Sequence, residues 1–276
     1  MARTIDFEKW QGLGNDFVII DGRSGKPALG PKAVRFIGDR RHGVGFDQMM
    51  IVRNSRIADY KMELYNSDGS SAEMCGNGIR CFHRFLVEMG ATRRKKLAVE
   101  TRAGIIKTEL LSGRMVEVDM GEPILDGPRI PVNLDGEIIG REISTEMGTF
   151  KITAVSMGNP HITVFTDDLE KIDLEKLGPF LERHPLFPKR TNVHFARMDD
   201  ARNITVRHWE RGAGATLACG TGACATAVAA VLNNLSGRAV AVHQRGGTLK
   251  IRWDERDNRV YMTGPADRVF SGKISV

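Results

Sequence analysis

The sequence is poor in the features that would tie it to a membrane, a disulfide scaffold or a metal. It has 276 residues, only four cysteines and 7% aromatic residues. No apolar run approaches the roughly 20 residues of a membrane-spanning helix, and the opening MARTIDFEKW lacks the basic, apolar and small-residue regions of a secretory leader. A cytoplasmic protein with no membrane partner is expected. Cysteines at 75, 81, 219 and 224 form no paired CxxC knuckles, which argues against structural zinc and a secreted framework. The seven histidines show no HExxH or comparable ligand spacing, so no metal is expected. Nucleic acid is not an expected partner either. The formal charge is +6, but the densest basic run, Arg93 to Lys96, has no nucleic-acid module beside it and reads as a solvated loop or helix end.

Apolar residues at 41% and charged residues at 27% are those of a globular protein, long enough for one large domain or two ordinary ones. An internal repeat favours two. Cys75 in AEMCGNGIRC and Cys219 in TLACGTGACA lie 144 residues apart (219 − 75). The same offset relates Asn15 in GLGNDF to Asn159 in SMGNPH, Gln48 to Asn192, and Asn66 to Glu210. Four polar landmarks therefore hold one register, and each half closes on a β-like run meeting Gly and Pro, VEVDMGEP and VYMTGP.

Alternation in IDFEKW and the apolar run FVII predict strands, and TFKITAVSM opens the second half in the same way. After Cys75, apolar residues at Ile79, Phe82, Phe85, Leu86 and Met89 predict a helix stopped by Gly90; after Cys219, TGACATAVAAVL predicts a small-residue helix enclosed by sheet. Further strands are expected at 105–111, 114–120, 204–209, 239–243, 248–253 and 259–262, and a surface helix at 173–182. The expected class is α+β, mostly antiparallel, with few helices.

Both landmark cysteines stand at the first turn of a predicted helix, where unpaired N–H groups and the helix dipole favour a thiolate. The amides of Gly76 and Asn77, and of Gly220 and Thr221, offer a seat for a carboxylate. Two such cysteines could address opposite faces of one carbon, one sulfur removing an α-proton while the other delivers one. Amides aimed at the carboxylate would stabilise the carbanion, without pyridoxal phosphate or metal. A redox pair is the competing reading, since thiols that close can form a disulfide. Cys81 and Cys224, within the helices, read as core residues. GTGACA formally fits a dinucleotide fingerprint, but no acidic residue occurs between Glu210 and Asp254, where one would be needed roughly 20 positions on.

Taken together, GLGNDF, RRHGVGFDQ, YNSDGSSAEMCGNGIRC, GNPH, TNVHF and ERGAGATLACGTGACA resemble the diaminopimelate epimerase family, in order and nearly end to end. Proline and hydroxyproline racemases, with the same two-cysteine logic, typically carry a histidine where this chain has Asn77, and the phenazine-type isomerases lack the cysteine pair. The resemblance implies a cofactor-independent epimerase acting on diaminopimelate, a step feeding lysine and peptidoglycan synthesis, with Cys75 and Cys219 as the acid/base pair. It implies that His161 and Glu210 tune the cysteines' protonation, an imidazolium lowering a thiol pKa and a carboxylate raising one. Asn66, Asn159, Asn192, Glu210 and Arg211 would contact the non-reacting end of the substrate, while Asn15, Gln48, Gly76, Asn77, Gly220 and Thr221 complete the pocket. It further implies two pseudo-symmetric domains, 1–119 with 265–276 and 120–264, each a barrel-like sheet around a central helix, and a homodimer.

Overall fold

The structure, a computed structural model, describes residues 3–25 and 29–276. It divides into two compact units, Met1–Asp119 with Thr263–Val276, and Met120–Met262. The first contains β1 (Thr4–Gly12), β2 (Asn15–Asp21), α1 (Pro31–Gly38), β3 (Gln48–Arg53), β4 (Tyr60–Asn66), β5 (Ser71–Ala72), α2 (Gly76–Glu88), β6 (Lys96–Thr101), β7 (Gly104–Leu110) and β8 (Met115–Asp119). Its strand Asp267–Ser275 pairs antiparallel with β1. From β1 the pairing runs through β2, β3, β4, β6 and β7 to β8, parallel at β2–β3 and β4–β6 and antiparallel elsewhere.

The sheet curls about α2, which packs against β1, β2 and β3 and also against β7 and β8. That enclosure explains its composition: ten of its thirteen residues are buried, among them Ile79, Phe82, Phe85 and Leu86. The β1–β2 hairpin turns through Leu13 and Gly14, at φ of 58° and 82°, so that Gly12 pairs with Asn15. Two positive φ values are what a tight right-twisted hairpin requires, and Leu13 adopts one while buried.

The second unit contains β9 (Arg141–Thr145), β10 (Gly148–Ser156), β11 (Pro160–Phe165), α3 (Leu174–Glu182), β12 (Asn192–Asp200), β13 (Asn203–Glu210), β14 (Gly214–Thr216), α4 (Gly220–Leu232), β15 (Ala239–Gln244), β16 (Gly247–Trp253) and the start of β17 (Val260–Pro265). Pairing runs from β9 through β10, β11, β12, β13 and β15 to β16, parallel at β11–β12 and β13–β15. Here α4 packs against β10, β11, β12, β13, β15 and β16. Its Ala, Gly and Thr side chains let sheet approach from every side, and ten of its residues are buried.

The α+β class is as read from the sequence, and β1, β10 and the helices after both cysteines lie where the pattern placed them. The helix at 173–182 forms as α3, capped by Asp173 accepting from the Lys176 N–H (3.2 Å). It is not a plain surface helix. Leu174, Leu181 and Glu182 are buried, and Glu182 accepts from the Trp209 indole (2.8 Å). The short α1 escaped the periodicity reading because eight residues hold little more than two helical turns. Among the described residues, no helix is long and apolar enough to cross a membrane.

Candidate active site

In each unit a cysteine is the residue immediately before the central helix. Cys75 has an extended backbone and its Sγ accepts from the Gly78 N–H at 3.4 Å. Cys219 repeats this, accepting from the Gly222 N–H at 3.4 Å. A sulfur thus occupies the place usually taken by a Ser or Asp capping oxygen, beside the positive end of the helix.

In the first unit Asn15 and Asn77 stand beside Cys75 at the start of α2, which Gly76 opens, and Gln48 and Asn66 face each other on β3 and β4. The Cys75 thiol donates to Asn15 Oδ1 (3.5 Å), which also accepts from Asn77 Nδ2 (3.5 Å). Asn15 is fixed from behind, its Nδ2 donating to Asp47 Oδ2 (2.7 Å). Arg40 holds Asp47 (2.8 Å) and grips Asp16 through both terminal nitrogens (3.0 and 2.8 Å). Burial alone would raise the Asp16 pKa, but hydrogen bonds and charge from Arg40 and Lys9 hold it at about 2. The motifs GNDF and RRHGVGFDQ are therefore one clamp, whose members Lys9, Asp16, Arg40 and Asp47 were not singled out in the sequence. Gln48 donates to Asn66 Oδ1 (3.1 Å) across the β3–β4 pair.

In the second unit Glu210 and Thr221 stand beside Cys219, with Gly220 opening α4, while His161 bonds Asn159 and Asn192 bonds Arg211. Asn192 donates to the Pro160 carbonyl (2.7 Å) and accepts from the Arg211 N–H (2.9 Å). One Arg211 guanidinium nitrogen donates to the Lys189 carbonyl (2.8 Å). The Thr221 hydroxyl lies 3.6 Å from Cys219 Sγ. Behind Cys219 its own backbone N–H donates to Gln244 Oε1 (2.8 Å).

Two electrostatic expectations are corrected. A helix start was expected to lower the Cys219 pKa, but burial pushes the thiol well up, and the charge of Glu210 and a hydrogen bond with it push the same way. Desolvation of the thiolate outweighs the helix dipole. His161 was expected to act as an imidazolium. It is fully buried, and burial together with the charges of His208 and Arg211 lowers its pKa to about 3, so it is a neutral ring. Sequence reasoning missed His194 and His208, which line up with His161 inside the second unit; comparing the two repeat copies residue by residue would have exposed them.

Fold and site define a class: two like α+β units, each closing its helix start with a cysteine. The Bacillus anthracis phenazine biosynthesis protein of the PhzF family superposes with a TM-score of 0.71 at 18% identity, covering 99% of this chain and 100% of its own. A hydroxyproline epimerase from Agrobacterium vitis does so with 0.69 at 14% identity, covering 99% and 93%. These likenesses are of fold alone. Sequence goes further. The family profile described as diaminopimelate epimerase matches residues 7–125 and 153–269. Diaminopimelate epimerases of Desulfitobacterium hafniense and Leptospira biflexa are 50% and 44% identical, covering 98% and 99% of this chain and the same shares of their own. The chain belongs to the diaminopimelate epimerase family.

Proposed function

We propose that this enzyme interconverts LL- and meso-2,6-diaminopimelate by two-base proton transfer at the α-carbon, with Cys75 and Cys219 as the two bases. The observation that carries the reading is the duplicated cap: each unit offers one sulfur at a helix start, and stereoinversion needs one acid and one base. In the resting enzyme Cys219 is a thiol, since burial and Glu210 oppose its ionisation. It is thus ready to give a proton, and in that direction Cys75 removes one. The reverse direction exchanges the roles: Cys219, its proton passed to the Glu210 carboxylate hydrogen-bonded to it, removes the α-proton, and Cys75 delivers one. The negative charge that develops on the substrate carboxylate is met by the amides of Gly76, Asn77, Gly220 and Thr221, already pointed along the helix axes.

Asn15, held by the Asp47 clamp, and Gln48 complete the pocket, while Asn66, Asn159, Asn192, Glu210 and Arg211 take the non-reacting end. Arg211 suits a carboxylate, and the asparagines supply donor and acceptor to its ammonium and carboxylate. His161 contributes as a neutral ring. The reading needs no cofactor, and it places the enzyme in the cytoplasm as a homodimer, which sedimentation would test. Incubation of the LL substrate with reduced enzyme in heavy water should place deuterium on the α-carbon as meso product appears. Absence of both product and exchange would refute the activity, and full activity in a Cys219→Ala variant would refute the two-base scheme.

A further inference from the structure

Three histidines, one from each of three adjacent strands, run in a line through the interior of the second unit. His161 Nδ1 lies 2.8 Å from His194 Nε2, and His194 Nδ1 lies 2.8 Å from His208 Nδ1. One end of the line is the Asn159 amide, 2.9 Å from His161 Nε2. The other is Gln244 Oε1, 2.7 Å from His208 Nε2, the same oxygen that takes the Cys219 backbone N–H. All three rings are buried.

The fold does not require them. The positions 144 residues earlier (161 − 17, 194 − 50, 208 − 64) hold Phe17, Met50 and Leu64, all buried in the first unit. The same strands around the same helix are there filled with hydrocarbon. Even the neighbouring glycine is matched: a Cβ on Gly78 would meet Phe17 and Met50 at 3.2 and 3.3 Å, and one on Gly222 would meet His194 at 2.6 and 2.9 Å. Burying three imidazoles where apolar side chains suffice costs desolvation unless every link is made, so their placement calls for a purpose beyond packing.

The order of protons along the line follows from its fixed end. A backbone N–H can only donate, so the Gln244 atom at Cys219 is an oxygen, and His208 must donate to it from Nε2. A neutral His208 then has a bare Nδ1, which accepts from His194 Nδ1–H. His194 Nε2 is bare in turn and accepts from His161 Nδ1–H. His161 is left with its lone pair on Nε2, facing Asn159. Burial keeps them neutral, and the neighbouring rings add to it at His161 and His194: His161 is lowered to about 3, His208 to about 4, and His194 well below its ordinary value. In the structure Asn159 Oδ1 faces that nitrogen. Three protons cannot fill four links in this arrangement, and a half-turn of the amide, whose two terminal atoms are nearly isosteric, fills them all.

We infer that His194 and His208 are positioning residues that hold His161 as its Nδ1–H tautomer, so that Asn159 donates inward from Nδ2 and turns Oδ1 outward as the acceptor for a substrate ammonium. The last step rests on the proposed contact between Asn159 and the non-reacting end of the substrate. The line thereby ties the amide polarity of one substrate contact to the backbone of the catalytic Cys219.

Nitrogen NMR of the whole enzyme carrying 15N-histidine tests the tautomers directly. His161 and His194 should be protonated on Nδ1 and His208 on Nε2, all three neutral between about pH 6 and 8. An Nε2–H tautomer at His161, or an imidazolium among the three, would overturn the inference. In His208→Leu, which installs the first unit's residue, His161 should lose its single tautomer and KM should rise about tenfold, the loss of one hydrogen bond, with a smaller change in kcat. A shifted tautomer with unchanged KM would overturn the link to Asn159. An unchanged KM in Asn159→Ala would instead refute the proposed substrate contact, while the tautomers of the wild-type chain judge the relay.

Discussion

Cys219 sits where its own ionisation is opposed, which suits the proposed role of giving up a proton and taking one back. A carboxylate and a dry surrounding raise the thiol, while the capping N–H of Gly222 supports the thiolate once formed. Substituting serine keeps the cap but removes an acid of usable strength, so Cys75→Ser and Cys219→Ser should each lower the epimerisation rate by about 10²- to 10⁴-fold, read by separating LL and meso isomers. At Asn15 the support is indirect. Asp47→Ala removes the acceptor of Asn15 Nδ2, and a rise in KM without loss of thermal stability is the expected result. The cysteines were legible because glycine flanks and a repeat marked them. Lys9, Asp16, Arg40 and Asp47 were not, because an ion-pair clamp between β1, the hairpin and the loop before β3 has no periodicity to betray it.

Between elements, the two helix starts look interchangeable in sequence, and both central helices and part of the strands could be anticipated from pattern, whereas β3, β4, β6, β11 and β12 were not. What could not be anticipated is the filling behind them. Gly222 lies against the His194 ring more closely than Gly78 lies against Met50. Gly222→Ala should therefore cost about 1 to 3 kcal/mol and reduce activity by shifting His194 or the helix start. Gly78→Ala, whose Cβ would stand 3.2 Å from the Phe17 ring and 3.3 Å from Met50, should cost less. Denaturant melts of the two variants, compared with rates, check the ordering. A reading by secondary-structure period puts His208 on a strand and misses the strands that carry His161 and His194. Only the comparison of copies distinguishes a histidine from the Phe, Met or Leu that would fill the same space.

For the molecule as a whole, the buried rings and thiols make stability depend on pH. Unfolded histidines take up protons near pH 6.5, whereas His161 and His208 resist them to about 3 and 4. Their contribution is complete above about pH 6.5 and is lost as pH falls, at about 1.4 kcal/mol per pH unit for each ring. Arg211, which faces His161, adds to that resistance. Replacing the three with the first unit's residues, His161→Phe, His194→Met and His208→Leu, should flatten the acid limb of stability against pH while impairing turnover. On the alkaline side the sign is reversed. Cys81 is pushed up to about 12 by burial and Cys219 is raised as well, so their contribution is complete below about pH 9 and declines above it. Urea melts across pH 4 to 11 read both limbs, and an unchanged midpoint between pH 6.5 and 4 would contradict the acid one.

The hairpin with a buried left-handed leucine has a last consequence. Asn15 belongs to the ladder itself, paired with Gly12 across a two-residue turn, whereas its counterpart Asn159 lies one residue outside a strand, in the bend that joins Ser156 to Pro160. The backbone of the former cannot move without breaking ladder pairs; the backbone of the latter makes none, and it is its amide that His161 holds. Within one duplicated architecture, then, tolerance to change is unequal: new substrate preferences should be easier to select by varying residues 157–159 than residues 12–15, where a library would first lose the fold.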